Sequence, residues 1–405
     1  MSPIRRPHRE AGIDLNRQSS TSSRAASSAS RPITQGVVTG TPTRPPLIAY
    51  FATAVAHFAC SRCSIPRVAG QRRDAEGGRT PGVAQAVCVG ESMALFVPAE
   101  PGPARQVRTW RRTVGGAESN VACHLVALGV PSRWVSAVGA DPLGAALLDE
   151  LAGAGVDVGA VRVDPERQTG LYLKEGDAAG STVRYYRTGS AASAMGPDLL
   201  AGLDLTGVRL VHLSGITPAL SRSCHDLVTA LLRAPRDGRI VSFDVNWRPK
   251  LWPDGDGPRV LAELAGLADV VLVGADEAEA LWGTGDPAAL AERLGNPPAV
   301  VVKRAEHGAT LLENGTSTSA AALAVDVVEP VGAGDAFAAG FLAATLRGDD
   351  PRTRLRSGHL QAAATLLTHD DVAPPLPADV VTRLLRADDA DWAATRLTAD
   401  GLVPA

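Results

Sequence analysis

Lysine is nearly missing from this chain. Only Lys174, Lys250 and Lys303 occur in 405 residues, so a Lys+Arg total of 40 is almost all arginine. The bias fits a GC-rich coding sequence and singles out each lysine. Cysteine is scarce too: Cys60, Cys63, Cys88, Cys123 and Cys224 are odd in number and scattered. That excludes a disulfide framework and fits a reducing cytoplasm. No apolar run is long enough to span a membrane as a helix. A net charge of −3 argues against a dedicated nucleic-acid binder. The HExxH and G-x-S-x-G signatures are absent, and Gly153-Ala154-Gly155 with Gly159 misses the dinucleotide-binding spacing and follows a helix rather than a strand.

What remains is a chain with 45% hydrophobic residues and a mean hydropathy of +0.03, enough for one large core or two modest ones. Residues 1–84 stand apart. They are rich in Ser, Thr, Pro and Arg, and their twelve arginines against four acids (12 − 4) leave about +8. Such a composition cannot bury enough apolar surface to order itself, so a disordered extension is expected there. Leu47 to Cys60 has the length of a signal-peptide apolar core, but Pro45-Pro46 precede it and no small-residue cleavage site follows. His57, Cys60 and Cys63 supply three metal-binding side chains without a fourth. A translational start further in, near Val83 or Val87, accounts for the whole segment.

From Ala86 the texture changes. Ala86 to Glu91 reads as a buried strand, and Gly115-Gly116-Ala117-Glu118-Ser119-Asn120 opens a helix. Asp141-Pro142 starts another, with the acid as cap and proline in the first turn. Beyond Leu203, strands at 210–213, 240–245, 270–273 and 299–302 alternate with helices beginning near Ser221, Gly257, Asp276 and Asp286. That rhythm predicts an α/β fold, a mostly parallel sheet covered on both faces, with ligands at the carboxyl ends of its strands. Two more polar patches, 92–116 and 170–190, alternate like short exposed strands and fall outside that sheet. Helices near 352–368 and 377–386 close the domain, and the chain after Asp388 is expected to be loosely held.

The stretch from Val327 to Phe341 gathers the chemistry. Gly332 and Gly334 permit a tight turn and leave backbone N–H groups uncovered at the positive end of a helix, a ready anion site. Asp335 sits in the first turn beside it. Capping the helix and taking a proton from an attacking hydroxyl explain that acid equally well from pattern alone.

This stretch resembles the C-terminal signature of the PfkB (ribokinase-like) carbohydrate kinases, with Glu329-Pro330 where Asp-Thr is usual. The resemblance runs from about Ala86 to Arg386. Within the family it is strongest toward 2-keto-3-deoxygluconate kinases, carried by Gly115 to Asn120, Thr169 to Leu173, Tyr185 to Ala191, His212 to Thr217 and Asp244-Val245-Asn246-Trp247-Arg248.

The resemblance implies a ribokinase-like three-layer sandwich, with 92–116 and 170–190 forming a β lid. It implies ATP and Mg²⁺ as cofactors and a sugar acid as substrate. Asp335 would be the catalytic base beside the Gly332-Ala333-Gly334 anion hole. Gly116, Asn120, Tyr172, Tyr185, Arg187 and Arg248 would line the substrate, the two arginines facing its carboxylate. Asn246, Lys303, Gly308, Gly332, Gly334 and His359 would meet the nucleotide, and Glu277 would hold Mg²⁺ through water. Departures gather on the nucleotide side: Gly274 for Asn or Ser, Ala305 for a glycine, His359 for Asn, and His369-Asp370-Asp371 for a Gly-Asp turn. Three readings follow: a sugar-acid kinase, a relative acting on fructose, ribose or a nucleoside, and a non-catalytic sugar-acid sensor. Partners would be small molecules, with a possible homodimer through the lid.

Overall fold

The computed structural model describes residues 83–100, 102–177, 180–398 and 401–403. Of the predicted extension over 1–84, residues 1–82, with His57, Cys60 and Cys63, lie outside the described residues. In chain order the first elements are β1 (Ala86–Val89), β2 (Met93–Pro98), β3 (Trp110–Gly115), α1 (Ala117–Ala127), β4 (Ser132–Val135), β5 (Ala137–Gly139), α2 (Pro142–Gly153), β6 (Arg162–Asp164), β7 (Leu171–Asp177) and β8 (Gly180–Tyr186). Then follow β9 (Leu210–Ser214), α3 (Arg222–Arg233), β10 (Ile240–Asp244), α4 (Gly257–Ala265), β11 (Val270–Gly274), α5 (Ala275–Trp282), α6 (Pro287–Arg293) and β12 (Ala299–Lys303). The remainder is β13 (Ala309–Glu313), β14 (Thr316–Ala320), β15 (Ala324–Val325), α7 (Ala333–Arg347), α8 (Pro351–Leu366), α9 (Ala378–Arg386), α10 (Asp389–Ala394), β16 (Arg396–Thr398) and β17 (Gly401–Val403).

The main sheet has eight strands in the order β14-β13-β12-β11-β10-β9-β1-β4. From β12 to β4 every pairing is parallel, and β13 and β14 add an antiparallel edge. Two cores cover its faces, as buried parallel strands require. Leu227, Val260, Leu281 and Leu290 of α3 to α6 pack on one face. Val121, Leu147, Phe337, Phe341 and Leu355 of α1, α2, α7 and α8 pack on the other. Helix starts follow local chemistry: Asp141 accepts from the Leu143 and Gly144 N–H groups, and Ser221 caps α3 through Cys224 N–H.

A second sheet, β3-β2-β7-β8, stands apart from the first. Its β2 and β7 are parallel and its outer pairs antiparallel. Tyr172 and Tyr185 face each other across β7 and β8 and stack at 5.5 Å, while Tyr186 points away and is 55% exposed.

The tail departs from expectation. Residues after Asp388 form α10 and two strands that join β15 in a small sheet. Trp392 is buried there under the Arg356 guanidinium and donates to the Ala321 carbonyl at 2.8 Å. One aromatic and Leu397 supply enough apolar surface to anchor a segment whose charged composition reads as loose. No helix among the described residues is long and apolar enough to cross a membrane.

Candidate active site

The carboxyl ends of β10, β11 and β12 converge on one lysine. Gly274 at the end of β11 pairs with Lys303 and carries no side chain. Lys303 therefore reaches over it to Asp244, at 2.7 Å, on the strand beyond. Burial alone would lower the Lys303 ammonium, but the Asp244 and Glu277 carboxylates outweigh it and hold the group above its usual range. A permanent positive charge thus sits where three acids, Asp244, Glu277 and Asp335, come together.

The N-terminus of α7 faces the same spot. Gly332 precedes it with φ 86, a left-handed conformation suited to glycine, and a Cβ there would strike the Asp371 carbonyl at 2.5 Å. The Gly332 carbonyl takes up the Ala336 N–H at 2.9 Å. Ahead of it the Ala333 N–H donates to the Pro330 carbonyl at 3.4 Å, while the Gly334 and Asp335 N–H groups stand in the turn that a helix cannot satisfy internally. A Cβ on Gly334 would meet only the Lys303 ammonium, 3.8 Å away. The cradle is thus open, and a cation stands at its mouth.

Asp335 is held from across the site by Asn120 of α1, whose Nδ2 donates to its Oδ2 at 2.9 Å. Burial raises the Asp335 carboxyl, Asp244 adds to the effect, and the Asn120 bond, Lys303 and Arg248 restrain it, leaving it at about 7. Such an acid exchanges a proton near neutrality. Asn120, expected at the substrate, spends its amide on this carboxylate instead.

The other expected residues fall into two sets. Gly116 is close-packed, since a Cβ would strike the Glu91 carbonyl at 2.3 Å. Tyr172 lies over Gly115, whose added Cβ would fall 1.9 Å from its hydroxyl, and Tyr185 stacks on Tyr172. Arg187 sits against the Tyr185 ring, but its guanidinium is buried and already paired with the Glu91 carboxylate. Its charge is therefore met inside the protein. Arg248 differs: it is half exposed, 3.7 Å from Glu277, and within electrostatic reach of Asp335.

On the nucleotide side the structure gives several residues local duties. Glu277 accepts from Gly274 N–H at 2.8 Å and Trp247 N–H at 2.9 Å, so both oxygens already hold backbone. Gly308, at φ 101, is packed against the Ala320 carbonyl, near which His359 also lies. His359 is buried edge-on to Phe337 at 5.1 Å and is kept neutral, lowered to about 4 by burial. Ala305, where the resembling family has glycine, takes φ 45, a left-handed conformation that strains an alanine.

Sequence reasoning passed over Asp244, Glu91 and Asp371. Asp244 stands inside the quoted Asp-Val-Asn-Trp-Arg stretch, but nothing local shows that its partner is Lys303, 59 positions away.

Mg²⁺ keeps several waters and takes oxygen ligands from carboxylates and substrate phosphates. Asn246, at φ 41, leaves its buried Oδ1 without a partner beside Asp244. That oxygen and the acids around Lys303 suit an ion held largely through water. No group of three or more His, Cys, Asp or Glu among the described residues is placed to hold a metal ion by itself.

Comparison with known proteins matches residues 83–379 to the model of the pfkB family of carbohydrate kinases. The chain is 38% identical over 298 residues to a 2-dehydro-3-deoxygluconokinase of Bacillus subtilis, covering 71% of this chain and 91% of that one. It is 34% identical over 313 residues to a 2-dehydro-3-deoxygalactonokinase of Haloferax volcanii, covering 76% and 98%. The crystal structure of 2-dehydro-3-deoxygluconokinase from Thermotoga maritima superposes with a TM-score of 0.67 at 25% identity, over 75% of this chain and 98% of that one.

Proposed function

The chain belongs to the pfkB family of carbohydrate kinases, and from that premise we propose that it phosphorylates the terminal hydroxyl of 2-keto-3-deoxygluconate (2-dehydro-3-deoxygluconate) with ATP. The observation that carries the reading is Asp335. A carboxyl poised at about 7 stands in the first turn of a helix whose N–H groups form an open anion cradle, with Lys303 at its mouth.

In this reading Asp335 takes the proton of the attacking hydroxyl. The hydroxyl oxygen bonds to the γ-phosphorus in line with the departing ADP oxygen, whose bond breaks, and ADP leaves with the electron pair. The cradle N–H groups and Lys303 meet the charge that spreads over the transferred phosphoryl. Asn120 holds the base in its orientation. Mg²⁺, held through water by Asn246 and the acids around Lys303, would screen the nucleotide's phosphate charge. The four-stranded sheet acts as a lid whose Tyr172 and Tyr185 pack on the sugar. Arg248, half exposed and only loosely paired with Glu277, supplies the guanidinium for the sugar-acid carboxylate, with Arg187 and Glu91 as a neutral pair behind it.

The reading also supports work in a reducing cytoplasm, where ATP is available and where buried thiols such as Cys88, Cys123 and Cys224 stay free. The kinase domain spans about 85–387. A second copy of the chain can pair along the open β8 edge beside Tyr186. Sedimentation analysis should give a dimer, and a monomer at all concentrations would remove that partner.

The direct test is an ADP-release assay of the full chain with Mg-ATP, offering 2-keto-3-deoxygluconate, its galactonate epimer, fructose and ribose. Turnover with the sugar acids and at least ~100-fold less with fructose or ribose is expected, since a neutral sugar offers the Arg248 guanidinium no carboxylate to pair with. Preference for a neutral sugar would overturn the substrate. Binding of the sugar acid without turnover would favour a sensor.

A further inference from the structure

The turn that carries Asp371 sits between the lid sheet and the phosphate cradle, and one of the three lysines in the chain joins them. Lys174 of β7 is buried. Its ammonium lies 3.1 Å from Asp371 Oδ1 and 3.8 Å from Glu329 Oε2. The Asp371 side chain is buried as well, and the Tyr172 hydroxyl lies 3.4 Å from its second oxygen. Tyr172 and Lys174 are two positions apart on β7, so one face of one strand presents both. On the far side, Asp371 backbone packs directly under Gly332, and Glu329 stands three residues before it, accepting Val331 N–H at 3.3 Å. The neighbouring Asp370 meets Arg111 of β3 at 2.9 Å, but that pair is half exposed and adds little.

Without Lys174, two carboxylates would be left close together in a dry place, each under pressure to move apart or take a proton. Either response shifts the Gly332 turn, because Glu329 precedes it and Asp371 supports it from beneath. We propose that Lys174 is a positioning residue, an internal cation that clips the loop building the phosphate cradle to the lid strand, so that the lid holds the nucleotide-side geometry in place. The proposal rests on the kinase reading above and concerns residues outside its catalytic set.

It predicts a particular pattern for Lys174→Met. KM for Mg-ATP should rise at least tenfold and kcat should fall at least tenfold. The dissociation constant for the sugar acid should stay within about threefold, as only Tyr172 links Asp371 to that side. Lys174→Arg, which keeps the charge, should recover most of the loss. Asp371→Asn should weaken nucleotide binding alone, and the double variant K174M/D371N should be less impaired than the two losses multiplied, as expected of contacting partners.

Calorimetric titration with Mg-ADP reads the nucleotide effect without any sugar. The inference therefore stays testable even if the wild-type chain turns over none of the sugars offered, an outcome that would sink the kinase reading instead. If K174M binds Mg-ADP like wild type, the clip is wrong. If K174M loses sugar and nucleotide binding equally and K174R rescues neither, the residue is merely structural and the proposal falls. Should K174M fail to fold, the K174R and D371N titrations decide by the same criteria.

Discussion

Replacing Asp335 with Asn is expected to cost about 10²–10⁴-fold in kcat, the usual contribution of a placed general base, while sugar-acid and nucleotide binding stay nearly unchanged. Asparagine has the same shape, and its Oδ1 can still accept the Asn120 amide that now holds the carboxylate. Only the proton acceptor disappears. Wild-type kcat should climb with pH through about 7, as the Asp335 carboxyl ionises, and the residual D335N rate should lack that limb. Stability moves the other way. Burial raises this carboxyl in the folded state well above the usual aspartate range, so the protonated form is the one that folding favours. Its stabilising contribution is complete below about pH 4 and is lost as pH rises through about 7. D335N should therefore gain thermal stability over wild type at pH 8 and lose that advantage near pH 4. Near-normal turnover in D335N would remove the base assignment outright. A flat pH profile in wild type would remove the proton-transfer argument even if turnover fell.

Lys303→Met is expected to be the second most damaging change, through two separable effects. The first is electrostatic: without its ammonium, Asp335, Asp244 and Glu277 repel one another across a poorly hydrated site. Lys303 normally lowers the Asp335 carboxyl, so the acidic limb of the rate profile must move to higher pH. The cradle also loses the cation at its mouth, and kcat/KM for Mg-ATP should fall about 10²–10³-fold, as when one charge-stabilising donor is removed. The second effect is structural. Asp244 is almost fully buried and loses its 2.7 Å partner, and stranding a buried charge costs about 3–5 kcal/mol. Adding Asp244→Asn to Lys303→Met should restore most of the melting temperature without restoring the rate. If it restores both, Lys303 serves only to neutralise Asp244. A K303M enzyme with an unshifted pH limb would show that the lysine does not reach Asp335.

These two side chains illustrate how differently the sequence speaks about its site. Asp335 follows two glycines at the start of an Ala/Phe-rich helix, and both the turn and the helix are dictated by neighbours within a few residues. The glycine turn that opens α7 is therefore local and readable. The same holds for the alternating strands and helices after Leu203, and for the Asp141-Pro142 start of α2, whose cap forms as its spacing predicts. Side-chain alternation along 170–190 likewise separates Tyr185 from Tyr186.

Partners chosen across the fold were not readable. Arg187 has an arginine's usual promise for a carboxylate substrate, yet Glu91, far back in the chain and two residues beyond β1, already occupies it. Glu277 looks like a metal-site acid, but nothing local shows that its two oxygens also hold the Trp247 and Gly274 amides. Gly308 and His359 meet at Ala320, an encounter that depends on how β14 lies against α8. The tail after Asp388 reads as loose because its few apolar residues have no visible target, and the small sheet with β15 provides one.

Composition, periodicity and short-range turn chemistry were enough to determine the layered α/β architecture, the helix starts and the glycine turn before α7, because each depends on contacts within a few positions. Tertiary structure alone decided which charges are free and which are spent. It joined Lys303 to Asp244, Arg187 to Glu91 and Lys174 to Asp371, across separations of 59, 96 and 197 residues (187 − 91 for the second). A buried charge must find a counter-charge wherever the packed chain brings one near, and no local pattern records where that is.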